Sequence, residues 1–181
     1  MQTWIALLRG INVGGHQRLP MQDLRTIFET AGSRNVATYI QSGNVVFNAD
    51  IDNLAAFGDK IGDAVETGHG FRPDIHLLTA NTLRAAIEAN PYPEAVSEPQ
   101  SLHLTILSEA PQPGRIDSAK KALTDTERFT VIGECLYMHA PDGLARSKFA
   151  ANVARLLDVS ATSRNWKTVT KLAAMASQET P

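Results

Sequence analysis

Apolar positions recur along the chain with two different spacings. Leu24, Ile27 and Phe28 recur at helical spacing, which predicts a helix over residues 20–31. Residues 3–9 are apolar at nearly every position instead, which is typical of a strand buried on both faces. Read in this way, the first half predicts strands and helices in the order β-α-β-β-α-β, at residues 3–9, 20–31, 35–41, 44–48, 52–67 and 74–79.

The second half repeats this order after a predicted helix at residues 80–90 and a segment interrupted by Pro91, Pro93 and Pro99. Its predicted elements lie at residues 101–107, 115–124, 129–132, 135–139, 144–158 and 160–164, and a closing helix covers 166–176. We therefore predict an α+β fold of two ferredoxin-like units, each a βαββαβ α/β plait, with an extra C-terminal helix. The predicted domains are residues 1–79 and 101–181, joined by a linker at 80–100.

The strands differ between the halves. Residues 45–47 resemble residues 3–9 in being apolar throughout, so we expect both faces of the first sheet to be covered, and an open sheet that stacks bases is disfavoured. In the second half polar and apolar residues alternate. We expect its apolar strand residues to share one face, namely Leu102, Leu104, Ile106, Leu136 and Met138. His103 and His139 are then expected close together on the other face.

Composition narrows the functional classes. Hydrophobic residues make up 43% of 181 residues, enough for a packed core. The formal charge of −2 gives no overall attraction to nucleic acid or to an anionic membrane. One cysteine, Cys135, excludes an internal disulfide and a cysteine-based metal site. The apolar runs are too short to span a membrane and the N-terminus lacks a signal-peptide layout, so we expect a cytoplasmic protein with no membrane partner.

The predicted topology gathers polar, basic loops at one edge of each sheet. In the first half these are residues 9–18, 41–44 and 68–73. In the second half they are residues 145–149 and 162–171, which carry Arg146, Ser147, Lys148, Arg164, Asn165, Lys167 and Lys171. Both edges are locally basic in a chain that is net acidic.

Anion binding is the chemistry that these edges suggest. The candidate ligand-binding residues are Arg9, Asn12, Gly14, Gly15, Ser42, Asn44, Arg146, Lys148, Arg164 and Asn165. Backbone N–H groups of a glycine pair next to a helix start can bind a phosphate. However, the loop lacks the ending of a P-loop and the spacing of a dinucleotide fingerprint, and two glycines also permit a tight reversal at positive φ. Asn165 likewise fits a helix N-cap, and Trp166 fits a buried anchor.

Four segments, LLRGINVGG, YIQSGNVVF, ARSKF and TSRNWKTVTKL, resemble in order the signature segments of the bacterial domain-of-unknown-function family numbered 1697. The resemblance covers nearly the whole chain. It implies a pair of α/β plaits, and it brings no established activity, cofactor or catalytic residue. His16 stands where we expect a lysine or another polar residue in relatives, so His16 is not expected to be essential.

The residues identify no reaction. No Ser-His-Asp arrangement or carboxylate pair stands out, no cofactor is indicated, and His103 and His139 lack an evident third metal ligand. We expect a binding module for a phosphate-bearing small molecule or nucleotide, in a basic cleft between the two plaits. One alternative is a nucleic-acid-binding protein, which the net charge disfavours. The other is a structural or interaction protein that dimerises through an apolar sheet face, so the chain is expected to be a monomer or a homodimer.

Overall fold

A computed structural model describes residues 1–178 and contains two four-stranded antiparallel sheets. The first half has the predicted order of elements: β1 (Gln2–Leu8), α1 (Met21–Thr30), β2 (Arg34–Tyr39), β3 (Asn44–Ala49), α2 (Leu54–His69) and β4 (Ile75–Thr79). Its strands lie in the order β2-β3-β1-β4. This is the strand arrangement of a ferredoxin-like plait, with β1 and β3 at the centre.

The second half begins with α3 (Ala80–Glu88) and a short 3₁₀ helix (Pro93–Ser97). It continues with β5 (Leu102–Leu107), α4 (Pro113–Ala119), a 3₁₀ turn (Lys120–Ala122), β6 (Arg128–Ile132), β7 (Cys135–His139), α5 (Lys148–Leu157), β8 (Ala161–Asn165) and α6 (Trp166–Gln178). The strand order β6-β7-β5-β8 repeats that of the first sheet. The predicted α+β fold of two plait units with a closing helix is confirmed.

The chain divides into two compact units. The first comprises Met1–Arg84 together with the part of α6 that begins at Lys171, and the second comprises Ala85–Thr170. The divisions therefore fall inside α3 and inside α6. None of the helices in residues 1–178 combines the length and apolar composition needed to cross a membrane.

The core of the first unit lies between its two long helices and one face of its sheet. The helical spacing of Leu24 and Phe28 places both on the buried stripe of α1, where neither is exposed to solvent. Phe28 meets Phe47 edge-on at 4.9 Å between ring centroids, and Phe47 stacks on Phe57 at 5.6 Å. Such ring pairs contribute about 0.5–1.5 kcal/mol each beyond the area they bury.

Both faces of the central strands in the first sheet are buried. All six residues of β3 are buried, and so are the last five of β1. Ile5 and Val46, which point away from the helix-covered core, are 0% exposed. The prediction that apolar runs without alternation mark strands buried on both faces is confirmed for this unit.

The predicted faces of the second sheet are wrong. Leu104 lies directly opposite Tyr137, and Leu102 lies opposite His139, so these residues share one face. His103 lies opposite Met138 and therefore on the other face, away from His139. A shift by one residue exchanges the two faces of a strand, and alternation cannot set that register when both faces are buried. All six residues of β5 are in fact buried.

Helix α5 begins four residues later than the apolar spacing predicts. Leu144 lies in a turn in which its carbonyl accepts a hydrogen bond from Ser147 N at 3.0 Å. Ser147 itself is extended, and its side chain caps the helix that starts at Lys148. The predicted helix at 115–124 is also shorter, because α4 ends at Ala119 and a 3₁₀ turn follows. Capping by Ser147 sets the start of α5, which hydrophobic periodicity alone does not indicate.

Candidate functional site

Three loops meet at one edge of the first sheet, as the topology predicts. Leu8 N donates to Gly43 O at 2.8 Å, Arg9 N donates to Asp74 O at 2.9 Å, and Asn12 Nδ2 donates to Gln41 O at 2.9 Å. These bonds join residues 9–18, 41–44 and 68–73, which we call the first edge. The gathering follows from strand direction, because β1 ends where the β2–β3 hairpin turns and where β4 begins.

Gly14 and Gly15 close a very small hairpin within the first edge. Val13 and His16 form an antiparallel bridge, and His16 N donates to Val13 O at 3.0 Å. The φ angles of Gly14 and Gly15 are 59° and 80°, and a two-residue turn of type I′ requires positive φ at both positions. The conformation of the turn thus explains the glycine pair, whether or not the loop binds a phosphate.

The amide of Asn12 braces the same loop. Its Nδ2 group donates to Leu19 O and to Gln41 O, both at 2.9 Å, and its Oδ1 accepts from Leu19 N at 2.9 Å. Asn44 is completely buried, and its Nδ2 donates to Tyr39 O at 3.1 Å and to Ser42 Oγ at 2.9 Å. The polar groups predicted to bind a ligand at Asn12, Ser42 and Asn44 are engaged in holding loops together.

Carboxylates offset two arginines of the first edge. Arg9 lies 3.5 Å from Asp74, and Arg72 donates to Asp59 at 2.8 Å and also to Asp63. The hydrogen bond with Asp63 is the main cause of a raised pKa at Arg72. The first edge is therefore less basic than its sequence suggests.

His16 and Arg18 differ from these paired cations. Both are exposed, and within residues 1–178 neither side chain makes a hydrogen bond or an ion pair. They are the first-edge cations most open to an external partner.

A second set of polar groups lies at one edge of the second sheet. Leu102 pairs with His139, and His103 pairs with Asn165, so β5 begins where β7 and β8 end. Helix α5 starts after the loop that leaves β7, and α6 starts directly after β8. We call residues 145–149 and 162–167 the second edge. Lys171, predicted with this group, belongs to the first unit instead.

Two polar residues of the second edge are helix caps. Ser147 Oγ accepts a hydrogen bond from Ala150 N at 3.0 Å, and Asn165 Oδ1 accepts one from Thr168 N at 2.9 Å. These bonds satisfy backbone donors at the starts of α5 and α6. Asn165 thus has the capping role that its position suggests, and within residues 1–178 its Nδ2 group makes no hydrogen bond.

Cations stand at both helix starts without acidic partners. Arg146, Lys148 and Lys167 are exposed, and none of them forms an ion pair within residues 1–178. The first turns of α5 and α6 contain no acidic residue. A basic side chain is unfavourable at the positive end of a helix dipole, by about 0.3–1 kcal/mol. The fold alone does not explain why lysines occupy these turns.

Arg164 is half-buried, unlike the exposed cations of the second edge. Its guanidinium donates to Thr162 Oγ1 at 3.0 Å and to Ser163 O at 2.8 Å. Partial burial lowers the pKa of Arg164 from its ordinary value to about 10. It remains charged at neutral pH, in surroundings where water screens its charge less than at the surface.

The acids at this end of the second sheet are engaged elsewhere. Glu127 Oε2 accepts from Thr124 N at 2.9 Å, and Asp142 Oδ2 accepts from Thr126 Oγ1 at 2.7 Å. Glu127 closes its own loop, and Asp142 joins its loop to the one that contains Thr126. Neither side chain forms an ion pair within residues 1–178.

The histidines of the second sheet do not form a pair. Arg128 donates a hydrogen bond to His139 Nδ1 at 3.0 Å, because a guanidinium group can only donate. His103 is buried, its Nδ1 has no hydrogen-bond partner, and burial lowers its pKa. Within residues 1–178 no three His, Cys, Asp or Glu side chains are grouped as metal ligands.

Cys135 is half-buried on the same face as Tyr137. Burial raises the pKa of its thiol, which works against the thiolate form that a nucleophile requires. Its surroundings thus disfavour a reactive cysteine.

Comparison with known proteins adds a family and a fold. The family model described as "Protein of unknown function (DUF1697)" matches residues 1–137. No curated protein matches the chain. The solved structure of the conserved bacterial protein SP0830 from Streptococcus pneumoniae is similar, with a TM-score of 0.75 and 22% sequence identity. The alignment covers 97% of this chain and 98% of that chain, and at this identity it concerns the fold alone.

Proposed function

The chain belongs to DUF1697, a family of proteins of unknown function, and we propose that it is a binding module for a phosphate-bearing small molecule. The proposed binding surface is the second edge, with Arg146, Lys148, Arg164 and Lys167 as its cations. Of the ten candidate residues taken from the sequence, this surface uses the four at positions 146, 148, 164 and 165.

One observation carries this function. Lysines occupy the first turns of both α5 and α6, where the fold favours acids, and within residues 1–178 no acid pairs with them. A bound phosphate reverses the sign of this interaction, because the helix N-termini and the lysines then attract the same negative charge.

The first edge supports anion binding less well. Carboxylates offset Arg9 and Arg72, and the side chains of Asn12 and Asn44 are engaged within the loops. A hydrogen bond to a charged group contributes about 1.5–3 kcal/mol. A cation that must first give up such a bond to a carboxylate therefore gains less free energy from binding a phosphate than a cation that has none.

A thermal-unfolding titration tests the proposed function. The full chain is titrated with inorganic phosphate, a nucleoside triphosphate and a sugar phosphate at constant ionic strength, with sodium chloride as the reference. We expect at least one phosphate-bearing compound to raise the melting temperature, since a ligand that binds only the folded state stabilises it.

Three variants locate the binding site. Lys148→Ala and Lys167→Ala are each expected to weaken binding about tenfold, which corresponds to about 1.4 kcal/mol. The matched control is Arg155→Ala, which removes a charge from the last turn of the same helix α5 and should leave the affinity unchanged. Equal losses in all three variants, or equal stabilisation by chloride and phosphate, would contradict the proposed function. Salt-sensitive retention of RNA that depends on Lys148 would favour nucleic acid instead.

A further inference from the structure

Two large apolar side chains are exposed at the first edge. Val13 is 64% exposed, and Ile40, directly before the 41–44 segment, is 53% exposed. Leu8 at the end of β1 and Ile11 in the loop that follows it are buried. Isolated exposed aliphatic residues are common in soluble proteins, so exposure alone does not mark a site. The location and backbone conformation of these two residues set them apart.

Val13 and Ile40 come from different loops that are fixed to each other. Asn12 precedes Val13, Gln41 follows Ile40, and Asn12 Nδ2 donates to Gln41 O at 2.9 Å. Val13 and Ile40 are therefore each adjacent in sequence to a residue that forms this hydrogen bond. We call the surface that contains them the Val13–Ile40 patch.

The backbone conformation at position 40 is unfavourable for isoleucine. Its φ is 48°, in the left-handed region that a β-branched residue rarely adopts, and its neighbours Tyr39 and Gln41 carry no such feature. Glycine or asparagine would occupy this position with less strain. The Ile40 side chain is exposed, so burial in the core does not offset the backbone strain. A contact with a partner outside the chain would explain why isoleucine occupies this position.

Two basic side chains follow Val13 in its loop. His16 and Arg18 are exposed, and within residues 1–178 neither side chain is hydrogen-bonded or ion-paired. Arg9 shares an exposed ion pair with Asp74 at 3.5 Å, and such pairs are worth little in water. Residues 9–20 and 40–44 contain no acid. The two segments that carry the patch therefore contain basic residues and no acidic ones.

We propose that the Val13–Ile40 patch docks an acidic protein segment that carries aliphatic residues. Its carboxylates would form ion pairs with Arg18 and accept a hydrogen bond from His16, and its aliphatic side chains would cover Val13 and Ile40. A lipid surface fits less well, because the tip of the Val13–His16 hairpin is Gly14-Gly15, which has no apolar side chain to insert. Nucleic acid fits less well because aliphatic residues offer bases no stacking surface. This interaction is independent of phosphate binding at the second edge.

Peptide selection on the intact chain tests this docking surface. Random peptides displayed on phage are selected on the wild-type chain and counter-selected on the double variant Val13→Ser/Ile40→Asn. We expect the selected peptides to be rich in Asp and Glu interspersed with Leu, Ile or Val. A synthetic copy of the best peptide should bind the double variant and Arg18→Glu about tenfold more weakly than the wild type.

Leu54→Ser is the matched control, because it removes another exposed aliphatic side chain, 44% exposed, at the start of α2. It should bind the peptide like the wild type. Unfolding of the double variant should occur at or above the wild-type temperature, since asparagine tolerates the left-handed backbone, and lost binding then cannot reflect unfolding. If the selection yields no peptide that distinguishes the double variant, or if only vesicles of anionic phospholipid do so, the docking surface is refuted.

Discussion

Gly43 shows how one residue determines the geometry of the first edge. Its φ is 75°, and a methyl group built on it would lie 2.8 Å from Leu8 Cβ and 3.0 Å from Ile11 Cδ1. Gly133, in the hairpin between β6 and β7, has a similar φ of 58° but no atom within 4 Å of such a methyl group. Comparing substitutions at the two glycines therefore separates the cost of backbone strain from the cost of steric overlap.

Alanine at these positions should have unequal costs. We expect Gly133→Ala to lower the free energy of unfolding by about 1–2 kcal/mol, from backbone strain alone. Gly43→Ala should cost about 1–3 kcal/mol more, because overlap with Leu8 adds to the strain. Urea denaturation measures both values. Equal losses would mean that the loops shift to admit the methyl group.

His103 should make stability depend on pH. Its pKa in the folded chain lies below the ordinary value of 6.5, chiefly because of burial. Below pH 6.5 the unfolded chain takes up a proton that the folded chain does not, so the free energy of unfolding should fall as the pH drops. We expect His103→Phe to reduce this fall between about pH 7.5 and 5.5, whereas the exposed-site variant His16→Gln should not. An unchanged pH profile in His103→Phe would contradict this.

At the scale of elements, the proposed function implies that α5 is less stable than it could be. Lys148 lies at its N-terminus and Arg155 in its last turn, so one opposes the helix dipole and the other suits it. Replacing the basic residue by an acidic one should therefore have opposite effects on stability at the two positions.

Lys148→Glu should stabilise the chain while abolishing phosphate binding. We expect the free energy of unfolding to rise by about 0.3–1 kcal/mol, and Arg155→Glu to lower it by a similar amount. Thermal unfolding at low and at high salt measures both, and both effects should shrink as salt screens the dipole. Loss of stability in Lys148→Glu would show that Lys148 has a structural role instead.

Sequence patterns predict the order of the elements better than their boundaries or the faces of the strands. Element order follows from the spacing of apolar residues, and every predicted strand and helix is present. Boundaries at capped ends are less accurate, as α5 shows, because a single serine hydrogen bond outweighs the apolar periodicity. The matching of the faces of β5 and β7 was not predictable. Polar and apolar residues alternate in these strands, but both faces of β5 are buried, so the alternation does not say which face of β5 meets which face of β7.

At the scale of the whole molecule, neither sheet leaves a central strand open to a partner. β3 and β5 are buried at every position within a single chain. Dimerisation through an apolar sheet face would need that surface exposed. We therefore expect sedimentation velocity at micromolar concentration to give the mass of one chain. A wild-type mass of two chains would contradict this expectation.

The sequence by itself determined the element order, the two plaits and the family, because apolar periodicity and short motifs are local properties of the chain. It also determined which loops share an edge, since that follows from strand direction. Only the tertiary structure decided which polar groups are engaged there. Asn12 braces a turn, Asp59 and Asp63 hold Arg72, and Lys148 stands without an acid among residues 1–178. Charge compensation and hydrogen bonding depend on distances between residues far apart in sequence, which spacing along the chain does not encode.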